Sequence, residues 1–216
     1  MQKISTSDNA YIRPSPSGGS LGGVARKTLE TIVLTEVFVE TVGVGQSEIL
    51  VSEMVDMFVL LAQPGSGDEL QGIKKGIMEL ADMIVVNKSD GALETPAKIT
   101  TRALLDAMRL IAPKAIEWNP PVVRASAYTG YNLERVYDTI NTYFQKINES
   151  NRWDDIRKTQ QSHWMWREVK NLIFERLHQN KEVKSLAKDL EKGVADGTIA
   201  PTIAAYAIFE KFVGSK

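Results

Sequence analysis

Between residues 24 and 147, short apolar runs alternate with stretches in which apolar residues recur every three or four positions. The runs Val37–Glu40, Val55–Ala62, Met83–Val86 and Val122–Ala125 predict strands. VDMFVLLA is continuous enough to suit a strand buried on both faces. The periodic stretches predict helices: Val24–Glu36, with Leu29, Ile32 and Val33 on one side, and a second carrying Ile73, Ile77 and Leu80. A third, Ile99–Ile111, turns its apolar side through Ala103, Ala107, Leu110 and Ile111. The fourth, Leu133–Ile147, has Val136, Tyr137, Ile140, Tyr143 and Phe144 in its stripe. Residues 1–23, rich in Ser, Gly and Pro, read as loop. From about Asn148 no strand pattern recurs, and three helices are predicted, Asp154–Gln179, Val183–Val194 and Pro201–Val213. Gly193 and the Asp196–Gly197 pair supply a stop and a turn, and Pro201 suits a first helical turn.

Strands separated by helices of this length make βαβ units and a mainly parallel sheet, so the fold class is α/β with a helical C-terminal region. Residues 1–147 form the sheet domain on this reading, and residues 148–216 the helical region. In such sheets ligands sit at the carboxyl ends of the strands. The segments that follow the runs are TVGVGQ, PGSGDE, NKSD and SAYTG, so the polar signatures share one edge.

Composition narrows the classes. With 43% hydrophobic and 25% charged residues in 216, a buried core is expected and global disorder is not. A net charge of −1, from 26 basic and 27 acidic side chains, leaves no electrostatic footprint for nucleic acid or an anionic membrane. There are no cysteines, which removes disulfides, thiolate metal sites and a cysteine nucleophile. The N-terminus is too polar for a signal peptide, and the longest apolar stretch, near Met57–Ala62, is far too short to span a bilayer. A soluble, cytoplasmic protein is expected.

NKSD, Asn87–Asp90, is the most informative motif. A carboxylate at its fourth position can accept two hydrogen bonds from guanine, one from the ring N–H and one from the exocyclic amine. Adenine presents an acceptor where guanine has the N–H, and a buried Asp90 would then be left unpaired, the situation that gives strong discrimination. Asn87 can bridge to the base or to neighbouring loops, and the stem of Lys88 can pack on the base plane. The alternative is a solvated turn, since Asn, Ser and Asp are all turn formers. Ser126-Ala127-Tyr128 follows the next strand, where a small residue lets a backbone N–H approach the guanine oxygen. Alone it says little; one helix and one strand after NKSD it adds substantially.

ETVGVGQSE, Glu40–Glu48, places an acid and then Thr-x-Gly after a strand. That arrangement suits a nucleotide-hydrolysing switch, with Glu40 near a magnesium ion and the Gly43 N–H at a terminal phosphate. The alternative is a tight turn in which Gln46–Glu48 cap a helix. GDELQGIKKG, Gly67–Gly76, reads either as a loop sensing nucleotide state or as a solvated helix start, and the chemistry alone favours the latter. His163, Trp164 and Trp166 read as packing at a helical interface.

Taken together, YIRPSPSGGSLGGVA, VETVGVGQSE, VDMFVLLAQPGSGDELQGIKKGIMELAD, NKSDG and the late HWMW resemble the MeaB/ArgK family of methylmalonyl-CoA mutase-associated GTPases, formerly labelled lysine/arginine/ornithine transport ATPases. The resemblance runs over nearly the whole chain. It implies a P-loop NTPase-type fold, GTP/GDP and Mg2+ as cofactors, a homodimer made through the C-terminal helices, and cobalamin-dependent methylmalonyl-CoA mutase as partner, with GTP gating the loading and protection of the mutase cofactor. By position it implies Glu40 as the magnesium-associated acid, Gly43 as a phosphate contact, and Asn87, Lys88 and Asp90 as guanine readers, with Ser126 and Ala127 alongside. It also raises Gln71, Lys74 and Lys75, which match an additional switch of the family.

Two departures accompany the resemblance. The sequence holds no G-x-x-x-x-G-K-[S/T], the loop that cradles phosphates and supplies part of the metal site. The expectation is therefore a partial GTPase domain over residues 1–147 in which hydrolysis is impaired, and whose sheet, lacking its first strand, exposes an edge. The rival is a nucleotide-independent fragment that dimerises or docks on the mutase. A general ATPase linked to amino-acid transport is disfavoured, because Asp90 selects guanine. Second, family members have a short turn and strand lead-in between the counterparts of Glu36 and Val37, where this chain has none. Either that segment is missing or Ile32–Val39 reorganises as one extended strand.

Overall fold

The structure is a computed structural model, and it describes residues 37–41, 47–65, 75–111 and 118–214. The described elements run α1 (Ser47–Ser52), β1 (Val59–Ala62), α2 (Lys75–Leu80), β2 (Met83–Val86), a 3-10 turn at Gly91–Leu93, α3 (Glu94–Met108), β3 (Val122–Arg124), α4 (Leu133–Glu149), α5 (Trp153–Gln179), α6 (Lys181–Ala195) and α7 (Pro201–Gly214). The chain divides into two compact units, Met1–Ile156 and Arg157–Lys216. The helix expected at 24–36, and Ile73 of the next, lie outside the described residues.

In the first unit the strands form a parallel sheet in the order β1-β2-β3. All four residues of β2 are buried. Its side chains alternate between two cores, as the two-residue period of a strand requires. Ile84 and Val86 pack with Val51, Phe58, Ala62, Met78, Ala81, Ala97 and Leu104 on one face. Met83 and Val85 pack with Val123, Ala125, Val136 and Ile140 on the other, so α4 covers that side. Burial on both faces is why this strand reads as an unbroken apolar run.

Several expected strands and stripes are corrected. VDMFVLLA is not one doubly buried strand: β1 occupies only Val59–Ala62, and Leu61 is 66% exposed. Leu61 lies in register with Val85, and the α4 cover on that face does not reach it. Val37–Thr41 form no strand, so the alternative of a continuous strand through Val39 fails there; Val39 packs against the core while Phe38 is exposed. The third correction concerns α3, which begins at Glu94, earlier than expected, and buries Ala97, Thr100 and Leu104; Leu110 lies past its end and is exposed. Of the buried residues, Ala97 and Thr100 carry little hydrophobic signal.

The amino ends of the strands are tied by one acid. Asp82, buried just before β2, accepts the Phe58 N–H through Oδ2 at 2.7 Å, and its carbonyl accepts the Trp118 indole N–H at 2.7 Å. Tyr143 of α4 meets Trp118 edge-on, with ring centroids 5.2 Å apart, and donates its hydroxyl to the Asp56 carbonyl at 3.0 Å. Phe144, Trp153 and Ile156 complete this cluster. The α4 stripe therefore turns through Tyr143 and Ile147, while Tyr137, expected in it, is exposed.

In the second unit α6 and α7 pack on each other. Asn180 caps α6, its Oδ1 accepting the N–H groups of Glu182 and Val183 at 3.0 and 3.2 Å. Gly193 lies inside α6 instead of ending it: a Cβ there would stand 2.6 Å from Ile199 Cδ1, so glycine admits the close return of the chain. Gly197, at φ 70°, makes the turn. Among the described residues no helix is long and apolar enough to cross a membrane.

Burial, and then the nearby Asp82 and Asp56 charges, push the Tyr143 hydroxyl above its ordinary pKa. A tyrosine in the unfolded chain ionises near pH 10 while the folded one stays protonated. Its contribution is therefore complete below about pH 10 and is lost as pH rises beyond that. Tyr143→Phe is expected to lower the unfolding free energy by about 1 kcal/mol at pH 7, the net worth of one hydrogen bond. In denaturant titrations between pH 8 and 11, the variant is expected to show a shallower alkaline decline than wild type.

Candidate functional site

β2 and β3 run in the same direction, so the NKSD and SAYTG segments leave the sheet side by side. The ladder continues past the strands: the Asn87 N–H donates to the Ala62 carbonyl at 3.0 Å, Ala125 N–H to Val86 at 2.9 Å, and Ser89 N–H to Ala125 at 3.0 Å. Ser89 is buried and returns its hydroxyl to the Val86 carbonyl at 2.7 Å. The link between the two loops is a side chain, with Asn87 Oδ1 accepting the Ala127 N–H at 3.1 Å.

The second loop folds on itself around Ser126, which is 0% exposed. Ser126 donates its N–H to the Tyr131 carbonyl at 3.0 Å, and its own carbonyl accepts the Gly130 N–H at 2.9 Å. Its hydroxyl oxygen accepts the Thr129 N–H at 3.1 Å. Gly130 sits at φ 80°, which glycine adopts without strain. Asn132, at φ 56°, ties the return to β3 by donating Nδ2 to the Arg124 carbonyl at 2.9 Å. This leaves Tyr128 at the apex, 93% exposed.

In the first loop Lys88 takes φ 58°, a left-handed conformation that costs a side-chain-bearing residue about 1–2 kcal/mol. Such a cost persists only where the surroundings hold it, and here the Asn87 and Ser89 backbone bonds flank it. The Lys88 ammonium donates to Gln63 Oε1 at 3.2 Å. Asp90 stands at the N-cap of the 3-10 turn, where an aspartate ordinarily accepts backbone N–H groups, yet its side chain makes no such bond. Its carbonyl accepts the Leu93 N–H at 3.0 Å, and its half-buried carboxylate keeps its acceptor capacity for something else.

Of the residues singled out by sequence, the structure gathers Asn87, Lys88, Asp90, Ser126 and Ala127 at one edge. The Ala127 N–H is donated to Asn87, which thereby bridges to the neighbouring loop. Glu40 lies exposed just after Val39, and Lys75 opens α2. Gly43, Gln71 and Lys74 lie outside the described residues. Among the described residues no group of three or more His, Asp or Glu side chains is placed to hold a metal ion. Of the late HWMW, His163, Met165 and Trp166 are exposed. Sequence reasoning passed over Gln63, whose signal was a glutamine before proline at a strand's carboxyl end.

Asn87→Ala is expected to leave the Ala127 N–H without its acceptor. Amide exchange at Ala127 should accelerate roughly five- to tenfold, and unfolding free energy should fall by about 1 kcal/mol. An unchanged exchange rate, measured by NMR on labelled protein, would show that the loops are joined some other way.

Comparison with known proteins identifies the family and the fold. The family model described as "Methylmalonyl Co-A mutase-associated GTPase MeaB" matches residues 1–182. A Mycobacterium tuberculosis protein named as a probable GTPase is 44% identical over 97% of this chain and 64% of its own length. The mouse mitochondrial methylmalonic aciduria type A homolog is 40% identical over 98% of this chain and 52% of its own. The GTPase ArgK of Escherichia coli is 35% identical over 93% of this chain and 62% of its own. This chain thus spans less than two thirds of the length of these relatives. A crystal structure of a LAO/AO transport system kinase superposes with a TM-score of 0.75 at 31% identity, over 96% of this chain and 67% of that one. With the pattern matched over most of its residues and the likeness running through nearly all of them, the chain belongs to the MeaB/ArgK family of methylmalonyl-CoA mutase-associated GTPases and has their P-loop NTPase-type α/β fold.

Proposed function

We propose that these residues are the base-reading part of a GTP-binding, GTP-hydrolysing chaperone of cobalamin-dependent methylmalonyl-CoA mutase, which gates loading and protection of the mutase cofactor. The observation that carries the proposal is the Asn87–Ala127 bond, which locks two loops together beside an Asp90 carboxylate not used for capping. That donor and acceptor set fits guanine: Asp90 accepts from the ring N–H and exocyclic amine, Asn87 retains its amide donors, and the Lys88 stem covers a face. Glu40, an exposed carboxylate, has the chemistry to join a nucleotide-bound magnesium, which needs only one or two protein carboxylates beside the phosphates. Bound GTP and magnesium would supply the phosphate chemistry. These 216 residues hold no G-x-x-x-x-G-K-[S/T], so phosphate cradling and hydrolysis are not assigned to them. The mutase comes from the name of the family.

Calorimetry with GDP and with ADP, magnesium present, tests the base-reading proposal. GDP binding without ADP binding is expected, and Asp90→Asn is expected to weaken GDP by at least about tenfold by setting an amide donor against the guanine N–H. Binding of neither nucleotide by a folded chain would sink it and leave the interaction-module reading.

That second reading has its own observation. One side of α7 packs on α6, while Ile203, Tyr206, Phe209 and Val213 line the other, each at least 55% exposed. A second copy carrying the same stripe would cover it in a twofold contact. Sedimentation is expected to find a dimer, and Tyr206→Glu with Phe209→Glu a monomer; a wild-type monomer would overturn the reading.

A further inference from the structure

We propose that Gln63 is a positioning residue for Lys88, holding the lysine side chain in place before a nucleobase arrives, an assignment that rests on the base-reading proposal above. Gln63 is the first residue after β1, and Lys88 lies in the loop that follows the adjacent strand β2. The pairing of Ala62 with Val86, extended by the bond from Asn87 N–H to the Ala62 carbonyl, fixes where Gln63 stands relative to that loop.

Two further features keep it there. Pro64 restricts the residue before it to extended backbone, so Gln63 cannot curl into the turn that follows. Gly65, at φ 82°, makes that turn, and its N–H is held by the buried Thr100 hydroxyl at 3.3 Å. From this anchored base Gln63 Oε1 accepts the Lys88 ammonium at 3.2 Å.

Both side chains are exposed. Packing of either into a core is therefore not the reason for the contact. A solvated lysine samples many rotamers, and a lysine stem serving as a platform for a base must give up that freedom on binding. A side-chain amide that holds the ammonium at one point removes much of the loss in advance. The left-handed backbone at Lys88 fixes where the stem begins, and Gln63 fixes where it ends.

The test uses the full chain, GDP as probe, magnesium present, and calorimetry on a double-mutant cycle. Gln63→Met keeps the length and apolar bulk but removes the acceptor; it is expected to weaken GDP roughly three- to tenfold. Lys88→Met is expected to weaken it at least as much, and adding Gln63→Met in that background should cause no further loss. Gln63→Glu keeps an acceptor and is expected to recover wild-type affinity, a rescue that a purely structural role would not produce. Wild-type affinity in Gln63→Met, or an equal additional loss in the Lys88→Met background, would overturn the assignment of Gln63 alone. A folded wild-type chain that binds no GDP would remove the base-reading proposal and this assignment with it.

Discussion

Because Met83–Val86 is bonded to a neighbour along both edges and covered on both faces, neither its direction nor its register is free to change. A slip of one residue would exchange the Ile84 and Val86 set with the Met83 and Val85 set and put each against the wrong core. Asn87 is therefore delivered to one place, and so is everything after it until Gly91 releases the chain. The loops that carry the candidate chemistry inherit their positions from this strand.

The strand is clamped by polar groups at its two ends, and the clamps differ in kind. At the amino end Asp82 is buried, and its bonds to Phe58 and Trp118 tie β1 and the segment before β3 to one residue. Buried polar groups of this sort are costly when unmet, so a satisfied one specifies a single arrangement. At the carboxyl end Ser89 is buried but Asn87 is half exposed, and the contact it makes reaches across to Ala127 at the surface. The first clamp belongs to the core. The second leaves side chains within reach of a ligand.

What the sequence made legible was the part in which one element decides its own environment. Met83–Val86 and the three late helices were readable because burial on both faces, or a sustained helical period closed by Asn180 and Pro201, leaves a local trace. β1 was overdrawn because VDMFVLLA is apolar throughout, while whether Leu61 is covered depends on how far α4 extends, a property of the assembled sheet. The buried side of α3 was only partly read: Ala107 and Ile111 pack against the core as expected, but Thr100, whose hydroxyl holds the Gly65 N–H, carries no hydrophobic signal. Of the candidate site, the motif residues were visible as types in a spacing. The Gln63 contact was not, because it joins residues 25 positions apart through two exposed side chains.

The Asn87 amide shows how one residue serves both the scaffold and a ligand. Its oxygen is committed to the Ala127 N–H, and its Nδ2 group still offers two donors. Asp90 is the complement, an acceptor-only group that is not consumed in capping its own turn. Donors and acceptor are thus presented from one short loop whose backbone is already bonded to β1 and to β3. On the proposed reading, guanine meets both kinds of partner at no cost in loop ordering. Adenine would set its ring acceptor against the Asp90 carboxylate, where two acceptors face each other and neither is satisfied. Selectivity then follows from the fixed position of the carboxylate more than from the strength of any one bond, and that position is set by the burial of the strand behind it.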